Sequence, residues 1–170
     1  MRVLALALGL ALLVFTAPGS AGPDKVQMPA PAKRQVFLGR VDRPDVKQVR
    51  EVFSSIDTIK AAKPGQMLPS GSVLTMDIYA TKLDGKGEPL KDEAGRLVKD
   101  KLTAVFVMEK RAGWGAEYSE ALRNGEWEYA RFTADGRPGP ADTTACFQCH
   151  KPKADQDYVF SMPKLSGAAR

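Results

Sequence analysis

Metal-binding and redox side chains are scarce in this chain: its 170 residues hold two cysteines and one histidine. A structural zinc site needs four ligands, as a rule Cys or His, and three are present, so a protein-only zinc centre is excluded. Long apolar runs are also missing. The longest, Val3 to Phe15, is thirteen residues, short of the roughly 20 that a membrane-spanning helix needs. There is no basic stripe interleaved with aromatics. Lysines and arginines are dispersed along a chain of net charge +5, which reads as a solvated surface and not as a nucleic-acid footprint. Local clustering of that charge suffices to steer an acidic redox partner protein. No internal repeat is evident.

The few reactive side chains all lie in one place. Cys146-Phe147-Gln148-Cys149-His150 contains both cysteines and the only histidine. Cysteines at i and i+3 share one side of a helical turn, where their thiolates can add to the two vinyl groups of a haem. A histidine at i+4 follows on the same side and can reach the iron. A thioredoxin-like pair would sit in a βαβ context near the start of a domain; this pair lies 21 residues from the end, after a Gly/Pro-rich loop. The motif therefore predicts one covalent haem c, with Cys146, Cys149 and His150 binding the cofactor and His150 as an axial ligand. What stands on the other side of the iron is left open by the motif.

Residues 1–21 read as a secretory signal. Arg2 is a short positive start, Val3–Phe15 the apolar segment, and Gly19-Ser20-Ala21 a small-residue cleavage site. Covalent haem c is attached beyond the bacterial inner membrane, so the expected location is periplasmic. After cleavage about 149 residues remain, one domain's worth. Residues 22–43, with Pro23, Pro29 and Pro31, read as a flexible lead-in, and 44–170 as the haem-binding domain.

Within that domain, Pro44 to Ala62 carries Val46, Val49, Val52, Phe53, Ile56 and Ile59 at helical spacing, which predicts one long helix stopped by Lys63-Pro64-Gly65. The middle reads as strands. Ser72–Thr81 alternates with Leu74, Met76 and Ile78 on one face. Leu102–Met108 places Leu102, Ala104, Phe106 and Met108 together. Glu126–Thr133 sets Trp127, Tyr129 and Arg131 against Ala130 and Phe132. Asp84-Gly85-Lys86-Gly87 and Asp92-Glu93-Ala94-Gly95 supply turns. The motif opens a short helix, and a Pro/Gly-containing tail wraps without a long helix. The expected fold class is α+β: a mainly antiparallel sheet, an N-terminal helix and a short C-terminal haem-attachment helix. A class I cytochrome c has its motif near the N-terminus, and a four-helix cytochrome c' needs four amphipathic helices; neither pattern is present.

The C-terminal motif, the β middle and three short segments resemble the cytochrome P-460 / cytochrome c'-beta family over about Arg50–Phe160. Leu68-Pro69-Ser70-Gly71-Ser72-Val73-Leu74 resembles the lead into its first core strand, and Val105-Phe106-Val107-Met108 its second. Cys146–Lys151 with Asp157-Tyr158-Val159-Phe160 resembles its C-terminal signature. The resemblance implies haem held against an antiparallel sheet, usually in a homodimer. It also implies one of two behaviours: hydroxylamine oxidation by a haem cross-linked to a lysine, or binding of small gases such as nitric oxide at an open distal side.

The cross-linking lysine of the family falls here on Met76, and Lys82, six residues on, is a poor substitute. The resemblance therefore disfavours hydroxylamine oxidation, and an enzymatic role with it. A thioether is a soft ligand suited to haem iron, and His/Met ligation is that of electron-transfer cytochromes. Met76 as the second iron ligand is one expectation; a core methionine filling a gap is the other. Met108 reads as core, Met162 as a tail residue, Met28 and Met67 as loop residues. Phe106, Trp127 and Phe132 are candidates for the pocket wall, Arg131 for a propionate partner. Glu109, Glu126 and Glu128 read as solvated strand-end charge. Two functions follow: an electron-transfer cytochrome with His150 and Met76 on iron, or a five-coordinate haem protein that binds nitric oxide or oxidises hydroxylamine or nitric oxide.

Overall fold

The computed structural model describes residues 25–140 and 142–168. The signal segment read in residues 1–21 lies outside the described residues. Five strands form one antiparallel sheet in sequence order: β1 (Val36–Arg43), β2 (Gln48–Ser54), β3 (Val73–Thr81), β4 (Lys99–Lys110) and β5 (Trp127–Thr133). Short helices flank it: α1 (Ile56–Ala61), α2 (Thr144–His150) and α3 (Met162–Ala168), with a 3-10 turn over Lys151–Gln156. No described helix is long and apolar enough to cross a membrane. The α+β class with a mainly antiparallel sheet is the observed architecture.

The long helix expected over Pro44–Ala62 does not form. Pro44–Val46 is a single 3-10 turn, Lys47 takes a left-handed conformation (φ 51°), and the chain reverses into β2. Only Ile56–Ala61 is helical, capped by Ser55, whose side-chain oxygen accepts from the Thr58 N–H at 3.1 Å. The physical reason is pairing on both sides. β2 is hydrogen-bonded to β1 and β3 along its length, and its valines and Phe53 are stiff side chains that pack well on a pleated surface. Val49 and Phe53 lie on one face of β2 and Val52 on the other, yet with Val46, Ile56 and Ile59 their spacings of three and four mimic a helical repeat. The partner strand β1 occupies residues 36–43, inside the segment that composition assigned to the lead-in.

The three later strands lie where alternation put them, with one shift. A register irregularity between Ile78 and Tyr79 sets Tyr79 opposite Leu102 while Ile78 stays opposite Ala104. Leu102 is thereby turned to the face opposite Met108 and packs against the cluster that contains Val105 and Phe132.

The sheet separates two cores. On one face Leu74, Met108, Trp127 and Tyr129 pack with Phe147 of α2, Val159 of the tail and Met162 and Leu165 of α3. On the other, Val73, Val105, Val107, Ala130 and Phe132 pack with Val26, covered in part by Met28 and Trp114. Between β3 and β4 an arm carries two like turns eight residues apart. Asp84 accepts from the Lys86 and Glu88 N–H groups, and Asp92 from those of Ala94 and Arg96. Gly87 and Gly95 take the positive φ that each turn requires.

Candidate functional site

Helix α2 consists of the motif and its two leading residues, Thr144-Ala145. It is fixed to the sheet by the residue between the cysteines. Phe147 is 1% exposed, with its ring 4.8 Å from those of both Tyr118 and Tyr129. Gln148 and Cys149 face outward, and Cys146 is half-buried. Both cysteines are free thiols, and burial pushes the Cys146 thiol up, so it stays protonated in the apoprotein.

Asn124 pins the helix from the side. It is fully buried, and its amide donates to the Phe147 carbonyl and to the Tyr129 hydroxyl, each at 3.0 Å. At the helix end Lys151 donates to the Glu120 and Arg123 carbonyls, both at 2.6 Å. Replacing Asn124 by Ala strips two buried acceptors of their donor. The expected cost is about 1–3 kcal/mol, read as a lowered denaturant midpoint with unchanged slope.

His150 is half-buried between Tyr129 (ring centroids 5.1 Å apart) and Phe160 (5.0 Å). Its Nδ1 lies 2.6 Å from the Tyr158 carbonyl oxygen. A carbonyl can only accept, so Nδ1 carries the proton and Nε2 holds a free lone pair. That is the tautomer, and the type of outer partner, that an iron-ligating histidine needs. Burial lowers the His150 pKa against the opposing pull of the Tyr158 carbonyl, so the ring is neutral, its ligand form, at neutral pH. Among the described residues no three His, Cys, Asp or Glu side chains converge as a metal ion requires. Nε2 can be completed only by a metal that brings its own ligands, and two thiols on the same seven-residue helix can tether the macrocycle that supplies them. The residues present fit haem.

The sheet face beneath is arranged in register rows. Leu74, Met108 and Tyr129 lie opposite one another across β3, β4 and β5, under α2; the next row is Val52, Met76, Phe106 and Arg131. Met76 is therefore on the His150 side of the sheet, one row from the tyrosine that the imidazole touches. It is half-buried and outside both core clusters, as is Phe106. The Arg131 guanidinium carbon stands 5.7 Å from the centroid of the Phe106 ring, and Arg131 is exposed. Arg50 lies on this face too, and burial, with the nearby Arg43 charge, pulls its pKa down. It is a second cation on this face, unnoticed in the sequence because its segment reads there as a helix with Arg50 off the apolar stripe.

The other nominated residues fall elsewhere. Met108 and Met162 are buried in the core, Met28 packs against the second cluster and Met67 is 75% exposed. Trp127 is fully buried under α2, while Phe132 belongs to the opposite face and cannot wall this site. Glu109 and Glu128 are not solvated. Both are buried on the far face, Glu109 accepting from Arg111 at 2.6 Å and Glu128 from the Tyr118 hydroxyl at 3.1 Å. Glu126 accepts from the Gly113 N–H at 2.9 Å.

A family comparison agrees with this geometry: residues 32–161 match the model of the Cytochrome P460 family. The chain belongs to that family. It is accordingly a cytochrome, an iron and haem protein, with the sheet and the motif helix both inside the matched span. No curated protein matches the chain.

Proposed function

We propose that this cytochrome is an exported, periplasmic, single-haem c-type electron carrier with His150 and Met76 as its axial ligands. Cys146 and Cys149 hold the haem through thioethers, and the iron, when bound, takes up and releases one electron. The chain does the rest. The Tyr158 carbonyl fixes the imidazole, Phe147 anchors the tether, and Phe106 and Val52 flank the methionine in the sheet register. The observation that carries the reading is Met76. A soft, half-buried thioether stands on the His150 side of the sheet at the position where the family's cross-linking enzymes have lysine. Arg131 and Arg50 are suited to the propionates. A redox partner protein and a homodimer complete the proposal.

The alternative is a five-coordinate haem protein that takes up nitric oxide. The half-exposure of Met76 and Phe106 favours it, since an apolar wall of that kind also admits a small gas.

The two parts of the proposal are tested separately. Denaturing mass spectrometry of the exported protein will show the polypeptide plus one haem, and the adduct will be lost in Cys146→Ser/Cys149→Ser. Haem extracted from the parent protein by acidified organic solvent would refute covalent attachment. The ferric absorption spectrum of the parent will be low-spin with a methionine–iron charge-transfer band. A high-spin spectrum with immediate nitric oxide uptake would reassign the site to gas chemistry.

A further inference from the structure

The tail that follows the motif contains a device that the haem site does not explain by itself. Lys110, the last residue of β4, donates from Nζ to both carboxylate oxygens of Asp157, at 2.8 and 2.9 Å. The two side chains are 6% and 2% exposed. The Leu68 N–H donates to the same carboxylate at 2.8 Å. A buried ion pair is a weak source of stability, because desolvating two charges offsets most of their attraction. Its presence here calls for another role.

Geometry supplies one. Asp157 and Tyr158 are consecutive left-handed residues, with φ of 53° and 61°. Side-chain-bearing residues seldom adopt that conformation, and two in succession persist only where the surroundings over-determine them. The first is held by Lys110 and Leu68 through its carboxylate. The second is held by its ring, which lies against Gly125, where an added Cβ would come within 3.3 Å of Tyr158 Cε2. The double reversal follows the 3-10 turn and brings the Tyr158 carbonyl to 2.6 Å from His150 Nδ1.

We infer that the Lys110–Asp157 pair positions the His150 imidazole, and through the Tyr158 carbonyl sets how strongly that ring donates to iron. The inference rests on His150 being the axial ligand. A strong Nδ1–H···O=C bond raises the basicity of Nε2 and favours ferric over ferrous iron; loosening it favours ferrous. The pair is a positioning element that acts on His150 through the Tyr158 carbonyl.

The test is the reduction potential of the haem-loaded full-length protein, measured by spectroelectrochemistry beside its thermal midpoint. Lys110→Met/Asp157→Asn removes the pair without leaving a buried charge. Its ferric-to-ferrous ratio at fixed ambient potential is expected to fall roughly tenfold, a rise of about 59 mV for a one-electron couple. An unchanged potential in the folded double variant would overturn the inference and leave the pair a purely structural contact. Should the double variant fail to load haem, Lys110→Gln decides. It leaves the Asp157 charge behind, which by electrostatics alone lowers the potential, so a rise supports positioning and a fall or no change overturns it. His150→Ala separates the two levels: if its ferric spectrum and potential match the parent's, His150 is not the ligand and the proposed function fails first.

Discussion

In Met76→Ala the methionine–iron charge-transfer band will vanish, and the ferric haem will pass from low-spin six-coordinate to high-spin five-coordinate. Removing a thioether ligand also lowers the reduction potential, because sulfur stabilises ferrous iron relative to ferric. The shift is expected to be a substantial part of the roughly 0.8 V that axial ligation and pocket polarity span across haem proteins. Nitric oxide uptake, slow in the parent because sulfur must first leave, will become fast. The fold is expected to survive. Met76 is half-buried and outside both core clusters, so the loss of stability falls below the roughly 2–5 kcal/mol of a fully buried methionine truncation. If instead the variant keeps the parent's spectrum and potential, Met76 is only part of the wall beside Phe106.

Met76 is proposed to act on the iron, whereas Phe147 and Asn124 hold the helix that presents His150, and the sequence exposed those two levels unequally. The cofactor motif was legible because its chemistry is local: three side chains at fixed spacing on one turn. Strands β3, β4 and β5 were legible from their β-branched and aromatic content and the turn signals between them, although both of their faces carry core residues. β2 was not, because Val49, Val52 and Phe53 stand at spacings of three and four, and its register with β1 and β3 is a tertiary fact that outweighs this apparent helical period. Leu102 was put on the wrong face because a register irregularity leaves no mark in alternation. The supports of His150 were illegible for a different reason. Asn124 is 23 residues from the carbonyl it holds and Lys110 is 47 from Asp157, and each looks in the sequence like an ordinary surface polar residue. Glu128 misled in the same way, since a charge in a strand reads as solvated until its burial is seen. Only Asp157-Tyr158, within the tail that resembles the family signature, hinted that the segment after the motif has a task.

Phe147→Ala will have the largest effect on stability of any change within the motif. Phe147 occupies the first of the two positions between the cysteines, which the attachment chemistry leaves free. It is nonetheless the side chain that docks α2, fully enclosed between Tyr118 and Tyr129. Truncating a buried phenylalanine costs about 3–5 kcal/mol in transfer and cavity terms, a range that already includes the lost packing against the two neighbouring rings. Gln148, the second free position, is exposed, and Gln148→Ala is expected to stay within about 0.5 kcal/mol of the parent. Denaturant unfolding of the two variants makes the contrast measurable. Phe147 is the one fully buried side chain of α2, so Phe147→Ala will also loosen the histidine that ends the helix. Its haem spectrum is then expected to broaden and its yield of haem-loaded protein to drop, whereas Gln148→Ala loads normally. Equal stability in the two variants would mean that α2 is held by the haem alone and not by the sheet.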